Sequence, residues 1–508
     1  MTTPVSGDGR SGDYRHSQVV AAIDQGTTST RCLLFSRTGR MLAVAQREHR
    51  QHYPEPGRVE HDAEEIWRNV ARVVPEALKR AGLGPENIAA LGIANQRETT
   101  VIWNRHTGVP LARAITWQDT RTGPIVAELV EAGLTDLYSR TSGFTPATYF
   151  AGPRLRWLLD HVPGAREGAE AGDVLFGTME SWLIWRLTGG VHVTDVSNAS
   201  RTMMMDLRTL EWSPKLLEAL DVPERMLPEI RSNAEVYGVC TEVLPGVPVA
   251  GALGDQQAAL VGQTCFAPGE VKCTYGTGAF LLKNTGPRIA GSAQGLIPTV
   301  GYLIGDEPVY ALEGSIAVTG SLVQWFRDSL GMIGTAAQIE TLAMTVPDNG
   351  GCYVVPAFSG LYAPHWQATA RGVIVGLTGY ITRGHLARAV LEATAWQTRE
   401  VVEAMNAESG IPVTRLKVDG GMTADHLLMQ YVADVLDVPV ERPLGSEAVS
   451  LGAAYVAGLA VGHWSDLEVL RANWHRAALW RPDMPAEVRD RERANWGRAV
   501  DRSYDWVV

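Results

Sequence analysis

Residues Ile23 to Arg31, I-D-Q-G-T-T-S-T-R, constrain the fold more than any other stretch of this chain. The apolar run Val19-Val20-Ala21-Ala22-Ile23 leads in, and a second run, Cys32 to Phe35, follows at once. Two apolar runs joined by a short polar turn predict a buried strand hairpin. The turn holds an acid, a glycine and small hydroxyl residues. Backbone N–H groups and hydroxyls in such a turn can cradle a phosphate, with a carboxylate nearby for a hydrated Mg²⁺. The same residues also suit a plain polar turn, so the rest of the chain has to decide.

At 508 residues there is room for two or more domains, since single cores rarely grow beyond roughly 250–300 residues. The net charge of −11 argues against non-specific nucleic-acid binding, but permits an anion held in a locally positive cleft. Cys32, Cys240, Cys265, Cys273 and Cys352 lack paired short spacings and read as the reduced thiols of a cytosolic protein. Residues 1–18 are polar, Gly/Ser-rich and without an apolar segment, the pattern of a disordered tail and not of a signal peptide. The Ala/Gly-rich stretch Ala448 to Gly462 is too short for a membrane span and predicts a buried helix.

The chain repeats itself once at low similarity. Pro248 to Val261 brings an apolar run into Gly254-Asp255-Gln256-Gln257, and Lys272 to Leu282 then sets a Gly/Thr turn between apolar runs. Two domains, 19–263 and 264–508, each opening on a hairpin that faces a shared cleft, account for this, with Thr264 to Gly269 as linker. Strands are expected over Ile88 to Ala94, Thr99 to Trp103 and Arg415 to Val418. Helices are expected over Glu180 to Leu187, His385 to Glu408, Asp425 to Leu436 and Asp62 to Arg80, the last broken by Pro75. This mixture predicts an α/β fold with two sheets.

Four constellations carry chemistry. Besides the hydroxyl-rich turn ending in Arg31, Asn95-Gln96-Arg97-Glu98 closes a strand, where an Arg–Glu pair can serve either polyol hydroxyls or a surface ion pair. Asp255-Gln256 follows an apolar run, so its carboxylate is a candidate base for a hydroxyl nucleophile, or else a turn former. Tyr275-Gly276-Thr277-Gly278 and Asp419-Gly420-Gly421 would let backbone approach a nucleotide closely. No P-loop, G-x-G-x-x-G or protein-kinase catalytic loop is present. His49, His52 and His61 lack metal-ligand spacing and are expected to be solvated.

The ordered motifs D-Q-G-T-T-S-T-R, N-Q-R-E-T-T, W-Q-D-T-R, G-D-Q-Q-A-A, T-Y-G-T-G, A-L-E-G and V-D-G-G resemble the FGGY carbohydrate kinases, within them the branch acting on glycerol. The resemblance runs from Val19 to the end of the chain. It implies two actin-like, ribonuclease-H-like domains with ATP in the cleft between them. It also implies that Thr27, Thr28, Ser29 and Arg31 contact phosphates, while Asp24 organises Mg²⁺ through water. Arg97, Glu98, Tyr149, Asp255 and Gln256 match glycerol-contacting positions, with Asp255 as general base. Trp117 and Phe280, which alone would read as core residues, match the aromatic pair on the carbon backbone. Thr277, Gly320, Gln324 and Gly421 match the phosphate and adenosine side, and Asp425 stands where an asparagine normally faces the adenine.

The sequence departs from the usual pattern at several points. Ala147-Thr148 replaces Asp-Pro, Arg154 a lysine and His365 a tyrosine, and no Gly/Lys-rich effector loop lies between Thr241 and Val247. The resemblance further implies a cytoplasmic homodimer or homotetramer. It leaves open an FGGY kinase for another polyol or ketopentose, and a catalytically weak polyol or nucleotide sensor.

Overall fold

A computed structural model describes residues 18–291 and 293–507. The tail expected over residues 1–18 lies, apart from Gln18, outside the described residues. In the first half, β1 (Val19–Gln25), β2 (Ser29–Phe35) and β3 (Met41–Glu48) form an antiparallel meander, followed by α1 (Ala63–Ala81). Beyond it come β4 (Ile88–Asn95), α2 (Ala151–His161), α3 (Val196–Ala199), β5 (Ala234–Val239), β6 (Pro248–Gly254) and α4 (Asp255–Gly262). The six strands are ordered β5-β6-β4-β1-β2-β3, with β6, β4 and β1 parallel.

The second half repeats the plan with β7 (Glu270–Tyr275), β8 (Ala279–Gly286), β9 (Ile297–Leu303) and β10 (Pro308–Ile316). After these come α5 (Gly320–Asp328), α6 (Arg383–Ser409), β11 (Arg415–Asp419), α7 (His426–Leu436), β12 (Val440–Pro443), α8 (Ala448–Ala460) and β13 (Arg476–Trp480). Its sheet runs β9-β10-β8-β7-β11-β12-β13. The run β10-β8-β7-β11-β12 has the same antiparallel and parallel pairings as β3-β2-β1-β4-β6. The repeat is therefore structural, but one expected match is corrected. Pro248 to Val261 forms β6 and α4 of the first half, because β6 pairs with β4; its counterpart is β12 and α8.

Strand β1 is apolar almost throughout because both its faces are covered. Val19, Ala21 and Ile23 face a core shared with α1, while Val20 and Ala22 face one containing Ala453 to Ala457 of α8. The buried helix expected at Ala448 thus covers the first half's sheet from the second half of the chain. It meets α4 at very close range: a Cβ on Gly452 would lie 1.9 Å from the Ala258 carbonyl, and one on Gly262 equally close to that of Ala448. The expected linker is packed too, with Lys417 Nζ donating to the carbonyls of Gln263 (2.6 Å) and Thr264 (3.3 Å).

Two further expectations are corrected. Helix α1 runs unbroken through Pro75, capped by Asp62 at one end and by left-handed Gly82 at the other. Pro75 and Ala71, whose carbonyl loses its helical donor to the proline, are both exposed, so that carbonyl is open to water while Val70, Val73 and Val74 stay buried. His49 and His61 are buried and edge-on at 4.6 Å, not solvated as expected, while His52 is half-buried. Burial holds His61 neutral, with its pKa near about 3, and the Gln96 amide donates to its Nδ1 at 3.1 Å. Among the described residues, all five cysteines are free and buried, and no helix is long and apolar enough to cross a membrane.

Candidate active site

Strand β4 ends at Asn95, and the chain turns through Gln96, Arg97 and Glu98, all buried. Beside it β6 ends at Gly254, the partner of Asn95, and enters α4 at Asp255. Two adjacent parallel strands therefore deliver Arg97, Glu98 and Asp255 to one edge of the sheet, where ligands of such sheets commonly bind. Arg97 Nε lies 3.2 Å from Asp255 Oδ1, which also accepts from the Gln256 N–H at 2.7 Å. Ser197 of α3 accepts from the Gly254 N–H at 3.0 Å and so steadies the approach to Asp255.

The groups that hold these residues have no assigned role at the level of sequence, although Glu313 lies in the A-L-E-G motif. Glu313 of β10, from the second half, accepts from both terminal nitrogens of Arg97. Arg201, just beyond α3, donates to Glu98 at 2.7 Å and to Glu313 at 3.3 Å. Two guanidinium groups and three carboxylates are thus interlocked; all are buried except Asp255, whose side chain is 34% accessible. Burial would push the Glu313 carboxyl up, but Arg201 and Arg97 hold it down at about 2. Burial would lower Arg97, yet Glu313 and Glu98 keep it well above its usual value. For Asp255 partial withdrawal from water prevails over Arg97 and Lys272, and its pKa is raised. A charged residue inside an apolar strand, as in V-Y-A-L-E-G-S-I, was the available signal for Glu313.

The other candidates gather around this cluster. Buried Lys272 of β7 donates to Gln256 Oε1, to Thr274 Oγ1 (3.3 Å) and to the Phe280 carbonyl (3.3 Å). Gln256 is thereby oriented with its amide nitrogen left for other partners. Half-buried Trp117 donates to Thr27 Oγ1 at 3.1 Å, and its ring meets Tyr149 edge-on at 5.9 Å. Phe280 stands apart on β8, opposite Ser315, and among the described residues its ring contacts neither Trp117 nor Tyr149.

On the hairpin, Asp24 and Arg31 are cross-strand partners joined by an ion pair. Arg31 also pairs with Glu447 at 2.7 Å, and Ser450 donates to Asp24 Oδ2 at 3.0 Å, both from the start of α8. Thr28 is exposed, and Ser29 Oγ accepts from Gln46 at 3.0 Å. Asp24 Oδ1 has no hydrogen-bond partner among the described residues. The Asp24 and Glu447 carboxylates form an all-oxygen set that suits a hydrated divalent cation, which would be held through its waters. Among the described residues there is no group of three or more His, Cys, Asp or Glu side chains able to ligate a metal directly.

Thr277, Gly320 and Gly421 meet in the second half. The Gly320 N–H donates to Gly276 at 3.0 Å and the Ser321 N–H to Thr277 at 3.0 Å, so the turn after β7 rests on the start of α5. The Gly421–Ala424 turn lies against both: a Cβ on Gly420, at φ 93°, would meet the Tyr275 carbonyl at 2.3 Å. Gln324 is exposed one turn along α5. Asp425 caps α7, Oδ1 accepting from the Leu428 N–H at 2.8 Å, while its buried Oδ2 has no hydrogen-bond partner among the described residues.

Known proteins share this architecture. Residues 19–262 match the N-terminal domain, and residues 271–461 the C-terminal domain, of the FGGY family of carbohydrate kinases. A Streptomyces coelicolor protein named glycerol kinase 2 is 61% identical over 498 residues, covering 96% of this chain and 97% of its own. A Methylobacterium radiotolerans glycerol kinase is 58% identical over 495 residues, with 96% and 99% covered. The crystal structure of Plasmodium falciparum glycerol kinase with ADP superposes with a TM-score of 0.92 at 36% identity, covering 96% of this chain and 98% of that one. A Rhodospirillum rubrum xylulose kinase superposes with a TM-score of 0.86 at 26% identity, covering 96% and 99%. With both family domains in order along the chain, and this fold around the cluster at Asp255, the protein belongs to the FGGY family of carbohydrate kinases.

Proposed function

We propose that this chain transfers the γ-phosphoryl group of ATP to a terminal hydroxyl of glycerol, giving ADP and sn-glycerol 3-phosphate. The observation that carries the reading is the convergence of Arg97, Glu98 and a still accessible Asp255 at the ends of two adjacent strands. Relatives named glycerol kinase, at 58% to 61% identity, support the choice of acceptor.

Asp255 accepts the proton of the attacking hydroxyl, and its raised pKa makes it a stronger base than an ordinary carboxylate. Glu98, anchored by Arg201 at one oxygen, keeps Oε2 without a hydrogen-bond partner among the described residues and accepts from a second hydroxyl. Arg97 and the amide nitrogen of Gln256 donate, while Trp117, Tyr149 and Phe280 wall the carbon backbone. Thr27, Thr28, Ser29 and Arg31 hold the phosphates, and Thr277, Gly320, Gln324, Gly421 and Asp425 line the nucleotide side. Asp24 would hold Mg²⁺ through water, and the ion would supply charge neutralisation on the phosphates. Phosphoryl transfer asks the protein chiefly for alignment and exclusion of water, and residues from both halves bound this site. A cytoplasmic homodimer or homotetramer completes the reading, and free, buried cysteines support that setting.

ADP release from MgATP, compared across glycerol, tetritols, pentitols, pentuloses and no acceptor, tests this. Rapid turnover with glycerol alone is expected. Preference for another acceptor overturns the choice of substrate. ATP binding without turnover on any acceptor overturns the kinase reading in favour of a sensor.

A further inference from the structure

Arg154 is fully buried in the first turn of α2, yet no carboxylate lies within ion-pair distance of it among the described residues. Its guanidinium instead donates to four main-chain carbonyls. Nη1 reaches those of Glu98 (3.3 Å) and Tyr149 (2.9 Å), and Nη2 those of Trp117 (2.8 Å) and Thr148 (2.6 Å). These carbonyls belong to three segments far apart in sequence, and each segment carries a residue of the acceptor pocket: Glu98, Trp117 or Tyr149. Burial draws the Arg154 pKa down to about 10, with Glu98 and Asp119 opposing, so the group is a cation at neutral pH.

The Glu98 peptide shows why such an anchor is needed. Glu98 has φ 63°, a left-handed backbone that non-glycine residues seldom adopt and that surrounding contacts have to hold. Its carbonyl is held from two sides, by Arg154 and by Thr100 Oγ1 at 3.1 Å. The packing of α2 is carried separately, by Leu155, Leu158 and Leu159 in an apolar cluster with Phe144 and Phe150.

We propose that Arg154 is a positioning residue of the acceptor pocket, a planar fork that ties the Glu98, Trp117 and Tyr149 segments into one frame and thereby sets which polyol fits. This deepens the reading of the site as a glycerol pocket and rests on it. Four carbonyl dipoles solvate the cation in place of a counter-ion, so its charge is not spent on a carboxylate that would pull the fork from one segment towards another. A lysine ammonium has three N–H donors radiating from one point and cannot serve all four carbonyls. A neutral side chain of similar length serves fewer and leaves buried carbonyls unpaired. In either case the segments are free to shift against each other, and the polar partners and apolar wall set out for the acceptor no longer fit it together, which weakens acceptor binding.

The test compares Arg154→Gln and Arg154→Lys with the wild-type full chain, using the acceptor on which the wild type turns over best. The Gln variant is expected to raise the acceptor KM by about tenfold or more, with kcat changed by less than about threefold and the ATP KM within about twofold. Its preference for that acceptor over a polyol one carbon longer should narrow, and the Lys variant should fall between Gln and wild type. A folded Gln variant with the wild-type acceptor KM overturns the proposal. So does a fall in kcat with comparable rises in acceptor KM and ATP KM, which marks a general structural loss. Should the Gln variant not fold, the Lys variant decides: a rise of about threefold or more in acceptor KM alone upholds the role, and a wild-type KM overturns it. If the best acceptor is not glycerol, the functional reading falls on the wild-type data alone, while the variants still judge Arg154.

Discussion

Asp255 is the one carboxylate of the buried cluster that keeps contact with water, and its partial withdrawal from solvent raises its pKa against the pull of Arg97 and Lys272. Asp255→Asn keeps the size of the side chain and removes the base. It is expected to lower kcat by about 10²–10⁴-fold while ATP affinity, measured by calorimetry, is unchanged. A base has to be ionised, so kcat/KM should fall as pH drops through the Asp255 pKa, with that acid limb above the ordinary carboxylate range. An acid limb at ordinary carboxylate pH would remove Asp255 from the role. Glu313 acts differently, as the anion that neutralises Arg97 and Arg201. Glu313→Ala strands buried cations and is expected to cost about 3–5 kcal/mol in urea unfolding. Its folded pKa lies below the unfolded one, so its contribution is complete above the unfolded value and is lost as pH falls towards about 2.

Among the elements, α7 carries an electrostatic cost at its start. Asp425 spends Oδ1 on the cap, but Oδ2 is buried without a partner among the described residues, and burial with Glu340 nearby raises its pKa to about 6. An acid whose folded pKa exceeds its unfolded one binds more protons in the native state, so stability declines as pH rises between the two values. Asn caps as well as Asp and carries no charge. Asp425→Asn is therefore expected to gain about 1 kcal/mol near pH 7.5 and nothing near pH 4, read as Tm against pH. An equal effect at both values would rule out ionisation as the cause. In α1, Pro75 shows that an element's fate depends on the face it presents: the proline sits on the solvent side, and the buried stripe beneath it is uninterrupted.

At the scale of the molecule, the two halves are related in strand order but do not stand alone. One core draws Val20, Leu33, Phe35 and Leu253 from the first half and Tyr302, Tyr455 and Trp464 from the second. A fragment ending at Gln263 lacks α8 and would leave that face of its sheet in water. It is expected to aggregate and bind ANS, whereas co-expression with residues 264–508 restores a soluble complex. A monomeric fragment that binds no ANS would show that the first half can cover that face by itself. The Arg31–Glu447 and Arg97–Glu313 pairs cross the same seam, so the phosphate side and the acceptor side are both completed only when the halves meet.

Local chemistry was legible without coordinates. The strand hairpin with its hydroxyl-rich turn, the strand into Asp255, the Gly/Thr turns and the buried Ala/Gly helix all follow from apolar runs and turn residues close together in sequence, and each is present in the fold. What lay beyond reach depended on partners distant along the chain. Arg97 finds Glu313 at 216 residues' separation, and nothing near either residue announces the pairing. His49 and His61 look solvated among polar neighbours and are buried because the tertiary fold closes over them. In the sequence Arg154 stands out only as a replacement for a usual lysine, until three separate segments turn their carbonyls towards it. Sequence patterning records which residues prefer water and which turns a backbone can make. Which buried charges neutralise one another, and which carbonyls a buried cation has to serve, is decided only when remote segments are packed side by side.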